Sequence, residues 1–137
     1  MKKTLFFIIL ILMVVSKSSA QTHLYSLEIQ IVGLKSNTGK ILLQLFTNKN
    51  KIISKKHAKI NNKKCTLSIK NLKLGNYLVN YFHDENENKK LDSNWLGIPS
   101  EGYGFSNNAS GTFGIPSIKD RLFNINRNTI ITLTINY

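Results

Sequence analysis

The sequence predicts an all-β chain: a single β-sandwich of about seven strands that carries one long insertion rich in glycine and aromatic residues. Three observations predict it. Apolar residues recur at every second position in several short stretches, as they do in strands with one buried face. Polar turns rich in Gly, Ser and Asn separate those stretches, and helical spacing is not sustained anywhere beyond the N-terminal leader.

The leader comes first. Lys2 and Lys3 precede the unbroken apolar run Leu5–Val15, and Ser16–Ala20 is a small, polar tail. This is the layout of a secretory signal peptide, with Ser18 and Ala20 at the small-residue positions and cleavage expected before Gln21. The apolar run has 11 residues, whereas a spanning helix needs roughly 20. No membrane span is therefore expected after cleavage; an uncleaved anchor is the alternative. No cysteine lies near the cleavage site, which excludes lipid attachment there. The expected organisation is a signal peptide over 1–20 and one domain over 21–137, exported to the periplasm or beyond the cell.

Strands follow in order. Leu27, Ile29 and Ile31 alternate with Ser26, Glu28 and Gln30 until Gly33 breaks the pattern. After a turn at Ser36, Asn37, Thr38 and Gly39, the residues Ile41, Leu43 and Leu45 line one face of a second strand, with Leu42 and Phe46 on its other face. Residues 52–60 form a weaker candidate and Cys65–Ile69 a better one. Tyr77, Val79 and Tyr81 share a face after a turn at Gly75, and Ile131, Leu133 and Ile135 alternate with Thr132, Thr134 and Asn136 in a β-branched final strand. A single helical turn is expected just after Pro116.

Charge and cysteine usage narrow the function classes. Without the leader the chain carries sixteen basic and seven acidic residues, a net charge of +9, enough to steer it toward anions. Its densest lysine cluster, Lys49 to Lys64, has no interleaved aromatic residue, so it reads as a solvated face and nucleic acid is not an expected partner. Cys65 is alone and cannot form an internal disulfide; its alternation with Thr66 and Ser68 points it inward as a small apolar residue.

Residues 84–120 refuse the alternating pattern. They hold five of the eight glycines, both prolines, and Trp95, Tyr103, Phe105 and Phe113. Such a stretch is too apolar for a solvated linker and is expected to fold back as a binding surface. It opens with Asp84-Glu85-Asn86-Glu87-Asn88-Lys89-Lys90-Leu91-Asp92, where oxygen-bearing side chains recur at the first, third, fifth and ninth places. That spacing suits calcium, with Asp84, Asn86, Asn88, the Lys90 carbonyl and Asp92 as ligands and Glu101 completing the shell. Against it stand Lys89 where a calcium loop wants glycine and Trp95 where it wants a bidentate Glu. With two charged ligands, affinity is expected on the order of millimolar; the alternative is an Asx-rich turn capping its own amides without an ion.

The run His83-Asp84-Glu85-Asn86, then Leu91-Asp92, then Leu96 through Gly102-Tyr103-Gly104-Phe105 to Asn108, then Gly114-Ile115-Pro116-Ser117, resembles the signature of the domain of unknown function 2141 family. Leu74, Gly75, Tyr77 and Val79 fit it as well, so the resemblance covers essentially all of the chain beyond the leader. It implies a small exported bacterial protein with an immunoglobulin-like or transthyretin-like sandwich, and it brings no catalytic residues. The chain departs from the family pattern at Glu87 and Lys89, which replace glycines common in the acidic loop.

Catalytic constellations are not evident. His23, His57 and His83 are dispersed without zinc-ligand spacing, and Gly102-Tyr103-Gly104 neither follows a strong strand nor opens a helix, as a phosphate-cradling loop would. Ser106 and Ser110 lack an evident His and Asp arrangement, and the Tyr-Arg-Gly-Ser ending of transthyretin-like hydrolases is absent from this C-terminus. The expectation is a non-catalytic binding or structural module that presents His83, Trp95, Tyr103, Phe105, Asn107 and Asn108 to a protein, glycan or small molecule. A carrier or enzyme using the 84–120 insertion as its pocket is the alternative. A carrier should enclose a concave pocket beside Tyr103, Phe105 and His83; an interaction module should leave those residues on an open face.

Overall fold

The computed structural model describes residues 22–111 and 114–137; the expected signal peptide lies outside the described residues, as do Thr112 and Phe113. Where apolar residues alternate, the chain is extended: β1 (Leu24–Val32), β2 (Lys40–Thr47), β3 (Ile52–Lys59), β4 (Cys65–Lys73), β5 (Gly75–Asp84) and β8 (Thr129–Thr134). Two further strands, β6 (Tyr103–Phe105) and β7 (Phe123–Ile125), have three residues each. One helical turn, α1 (Ile118–Arg121), follows Pro116, capped by the Ser117 hydroxyl accepting from the Asp120 amide. No helix among the described residues is long and apolar enough to cross a membrane.

The strands form two packed sheets. One has the order β4-β1-β8, and the other runs β3-β2-β5-β6 with β7 also pairing β5. All pairs are antiparallel except β1 and β8, which run parallel from Leu27 opposite Thr129 to Val32 opposite Thr134.

Between the sheets lies the core. Leu27, Ile29 and Ile31 of β1 and Leu67 and Ile69 of β4 meet Ile41, Leu43 and Leu45 of β2 and Val79 and Tyr81 of β5. The period-two burial of β1, β2 and β4 is the direct result of one face being packed and the other wet. Cys65 belongs to this core as a free, buried thiol, as its alternation predicts.

β3 is the least buried of the long strands. It lies at a sheet edge and carries Lys55, Lys56 and Lys59. Charged side chains on an edge discourage pairing with a second molecule.

Candidate functional site

The register of the larger sheet decides which side chains share its outer face. Residues directly opposite one another in neighbouring strands point the same way. His57, Leu42, Phe82 and Tyr103 therefore form one row across β3, β2, β5 and β6, and Lys55, Gln44, Asn80 and Phe105 form the next. Along both rows the chemistry passes from polar at the β3 edge, His57 in one and Lys55 in the other, to aromatic at β6.

Over this face the segment between β5 and α1 folds back. Leu91, Ile98, Pro99 and Ile115 rise as a wall beside Phe82, Tyr103 and Phe105 and enclose a groove of about 670 Å³. Tyr103 and Phe105 meet edge to face with their centroids 6.0 Å apart, a favourable geometry for aromatic pairs. At the groove floor the Asn80 side-chain oxygen accepts from Arg121 Nη1 at 2.8 Å, and the Arg121 guanidinium lies 5.5 Å from the Phe105 ring centroid. Burial holds the Arg121 pKa below the usual value for arginine.

The acidic loop opens where β5 ends. Asp84 is buried, and its Oδ2 accepts from the Lys89 amide at 3.0 Å. Its Oδ1 is also buried and has no hydrogen-bond partner among the described residues. An unpartnered buried carboxylate oxygen is costly unless something pairs with it. Asn86 Oδ1 accepts from the Asn88 amide and Asn88 Oδ1 from the Lys90 amide, which winds the loop in successive Asx turns. Both side-chain nitrogens donate to the Asp92 carboxylate.

Lys89, in the place where a calcium loop has glycine, takes the left-handed conformation that glycine would take, with φ 66°, and Glu87 does the same at φ 60°. Glu87 pairs with Lys40, whose hydrogen bond and charge hold its carboxyl below the usual range, with Lys59 adding to the effect.

Glu101 is a strut. Its Oε1 accepts from the Glu85 amide at 2.9 Å and its Oε2 from the Asp92 amide at 3.1 Å, tying together the two ends of the acidic loop. Among the described residues no three His, Cys, Asp or Glu side chains converge as a metal-binding group. A cation in this loop would rest on Asp84 and Asp92 with the Asn86 and Asn88 amide oxygens and the Lys90 carbonyl, and Oδ1 of Asp84 is the oxygen left free for it.

Three residues expected at the binding surface do not line the groove, although Asn107 and Asn108 are exposed. His83 is completely buried. Its Nε2 donates to the Thr38 carbonyl at 2.6 Å, which leaves Nδ1 to accept from the Tyr137 hydroxyl at 2.8 Å. Strand alternation is the reason, because His83 continues the inward series of Tyr77, Val79 and Tyr81. Asn107 and Asn108 both have positive φ, and their side chains hold backbone. Asn107 donates to the carbonyls of Asp120 and Leu122, and Asn108 accepts from the Thr134 amide.

Trp95 is at the surface and 90% exposed, while Tyr103 and Phe105 line the groove, half-buried. The pocket thus lies beside two of the three residues named for it, on the opposite face of the sheet from His83. Sequence reasoning did not foresee Leu42, Gln44, Asn80 and Phe82 as its floor, although their alternation with the core residues of β2 and β5 placed them on the outer face.

A family model described as "Uncharacterized protein conserved in bacteria (DUF2141)" matches residues 29–132, which takes in β2 to β7 whole, the second part of β1 and most of β8. No curated protein and no solved structure matches the chain.

Proposed function

Since the chain belongs to DUF2141, a family of uncharacterized proteins conserved in bacteria, its function has to be read from its own geometry, and we propose that it is an exported, non-catalytic binding module. In this reading the groove takes the ligand and a weakly held calcium ion braces the 84–92 loop beside it. The observation that carries the reading is the concave, largely apolar groove between the outer sheet face and Leu91, Ile98, Pro99 and Ile115. Binding sites of this size are typically apolar clefts with a few placed polar groups, and here Gln44 and Asn80 supply the polar groups. Concavity favours a small ligand over a flat protein partner.

Calcium is supported by the orphaned Oδ1 of Asp84 at the start of the loop; the ion would have to take Asp92 from the Asn86 and Asn88 side-chain nitrogens that now donate to it. Export is supported by the basic start, the apolar run and the small-residue tail of residues 2–20.

The thermal midpoint of the purified protein tests the ion. After chelator treatment it should rise across a calcium series and not across magnesium at the same concentrations, because an ion bound only by the folded state stabilises it by about 1 kcal/mol at a fivefold excess over Kd. Asp84→Asn together with Asp92→Asn should abolish the rise. No response at several millimolar calcium would reduce the loop to an Asx-capped turn.

A further inference from the structure

We propose that the ligand of the groove is an amphipathic anion, specifically a free long-chain carboxylate, lying along the outer sheet face with its tail at β6 and its carboxylate at β3. This rests on the binding reading above and names the ligand class. The groove does not end at Leu42 and Phe82. A second cavity of about 550 Å³ shares Leu42, Gln44 and Phe82 with it and continues toward the β3 edge. The two adjoin across these three side chains, and their chemistries differ.

At the β6 end the lining is Phe82, Tyr103, Phe105, Ile98, Pro99 and Leu91. At the β3 end it is Lys40, Lys55, Lys56, His57 and Lys89. Two carboxylates also face that end, Asp84 and Glu87. Glu87 is already paired with Lys40, and Asp84 is buried with one oxygen on the Lys89 amide. Lys55 and Lys89 make no ion pair among the described residues, while Lys56, opposite Leu43 in the register, stands on the other face of the sheet. An occupant that fills both must satisfy an aromatic end and an end where cationic side chains outnumber the two carboxylates. A neutral hydrocarbon leaves the lysines without a partner, and a small anion leaves the aromatic end empty. A long-chain carboxylate satisfies both, since each methylene of the tail gains by leaving water and the lysines select the sign of the head.

Titration calorimetry with dodecanoate below its micelle concentration tests this, with dodecyltrimethylammonium and acetate as comparison ligands. Dodecanoate should bind, acetate should not bind at the same concentration, and the cationic analogue should bind roughly tenfold more weakly, with the gap closing at high salt. Phe105→Ala should abolish dodecanoate binding, with an unchanged thermal midpoint showing that the sandwich still folds. Lys55→Gln with His57→Gln, both on the exposed edge strand, should erase the preference for the anion while leaving the tail contribution.

Equal binding of the two twelve-carbon ligands would overturn the assignment of an anion and leave the groove as a binding site. Binding of neither would overturn both readings. Retention on anionic vesicles without uptake of monomeric dodecanoate would also overturn the proposal, in favour of a lipid surface.

Discussion

Cys65 and Tyr81 show how far single side chains in this core depend on staying protonated. Burial pushes the Cys65 thiol up from 9.0 to about 11, against a smaller opposing hydrogen bond from the Ile31 backbone. Burial likewise raises Tyr81, whose hydroxyl donates to the Thr134 carbonyl at 2.6 Å and so joins the two sheets. Tyr77 and Tyr137 are raised for the same principal reason. In each case the folded state holds the proton more tightly than the unfolded chain, so the unfolded chain loses it first as pH rises. Their contribution to stability is therefore complete below the ordinary thiol and phenol values and is lost as pH climbs through the raised ones. The thermal midpoint should be flat up to about pH 9 and fall steadily toward pH 11. Cys65→Ala should remove the earliest part of that fall, leaving the tyrosine part at higher pH. A midpoint flat to pH 11 would show that the thiol and phenols are not buried as described.

At the scale of elements, the short pieces after β5 are joined through one hydroxyl. Ser106 Oγ accepts from the Val79 amide at 2.9 Å and donates to the Arg121 carbonyl, so β5, the turn after β6 and α1 converge on it in the interior. Ser106→Ala should leave buried backbone groups unpaired and cost about 1–3 kcal/mol in urea unfolding. A loss within error of zero would mean that water replaces the hydroxyl.

The same region explains what the sequence could and could not reveal. β1, β4 and β8 were legible because each alternates an apolar core face with a largely polar one. β6 was not, since the inward position of Tyr103-Gly104-Phe105 is a glycine. A Cβ on Gly104 would come within 2.3 Å of the Tyr81 hydroxyl oxygen, so the tyrosine ring occupies the space where an apolar side chain would have signalled a strand. β7 is three residues long, too short for any period to register, and it pairs with β5 only from Gly75 to Tyr77.

His83 was legible in principle. The inward series from Tyr77 reaches it in one more step, but the neighbouring carboxylates drew it into the acidic loop instead. Oxygen spacing in residues 84–92 was readable because Asx turns are local. The groove was not, because it joins a sheet face to a segment far away in sequence.

For the whole molecule, the strand at one end of the described chain and the strand at the other are neighbours. β1 is the central strand of its sheet, and one flank is supplied by β8, held also by the Ser26 amide on Asn128 Oδ1 across 102 residues. Until β8 arrives, the hairpin-linked strands β2 and β3 can form early, but β1 keeps an open side and the core lacks Leu133 and Ile135. Closing so long a loop is entropically costly before any contact repays it, so the search for this one register should control the rate. Refolding from urea should be a single slow phase on the order of milliseconds to seconds. Thr132→Pro, which breaks the late pairing, should slow or abolish that phase. If refolding were complete in microseconds, the last strand would not be what the fold waits for. As the chain is made from its N-terminus, β1 exists long before its parallel partner β8, so the order of synthesis makes this one pairing the last that the smaller sheet can acquire.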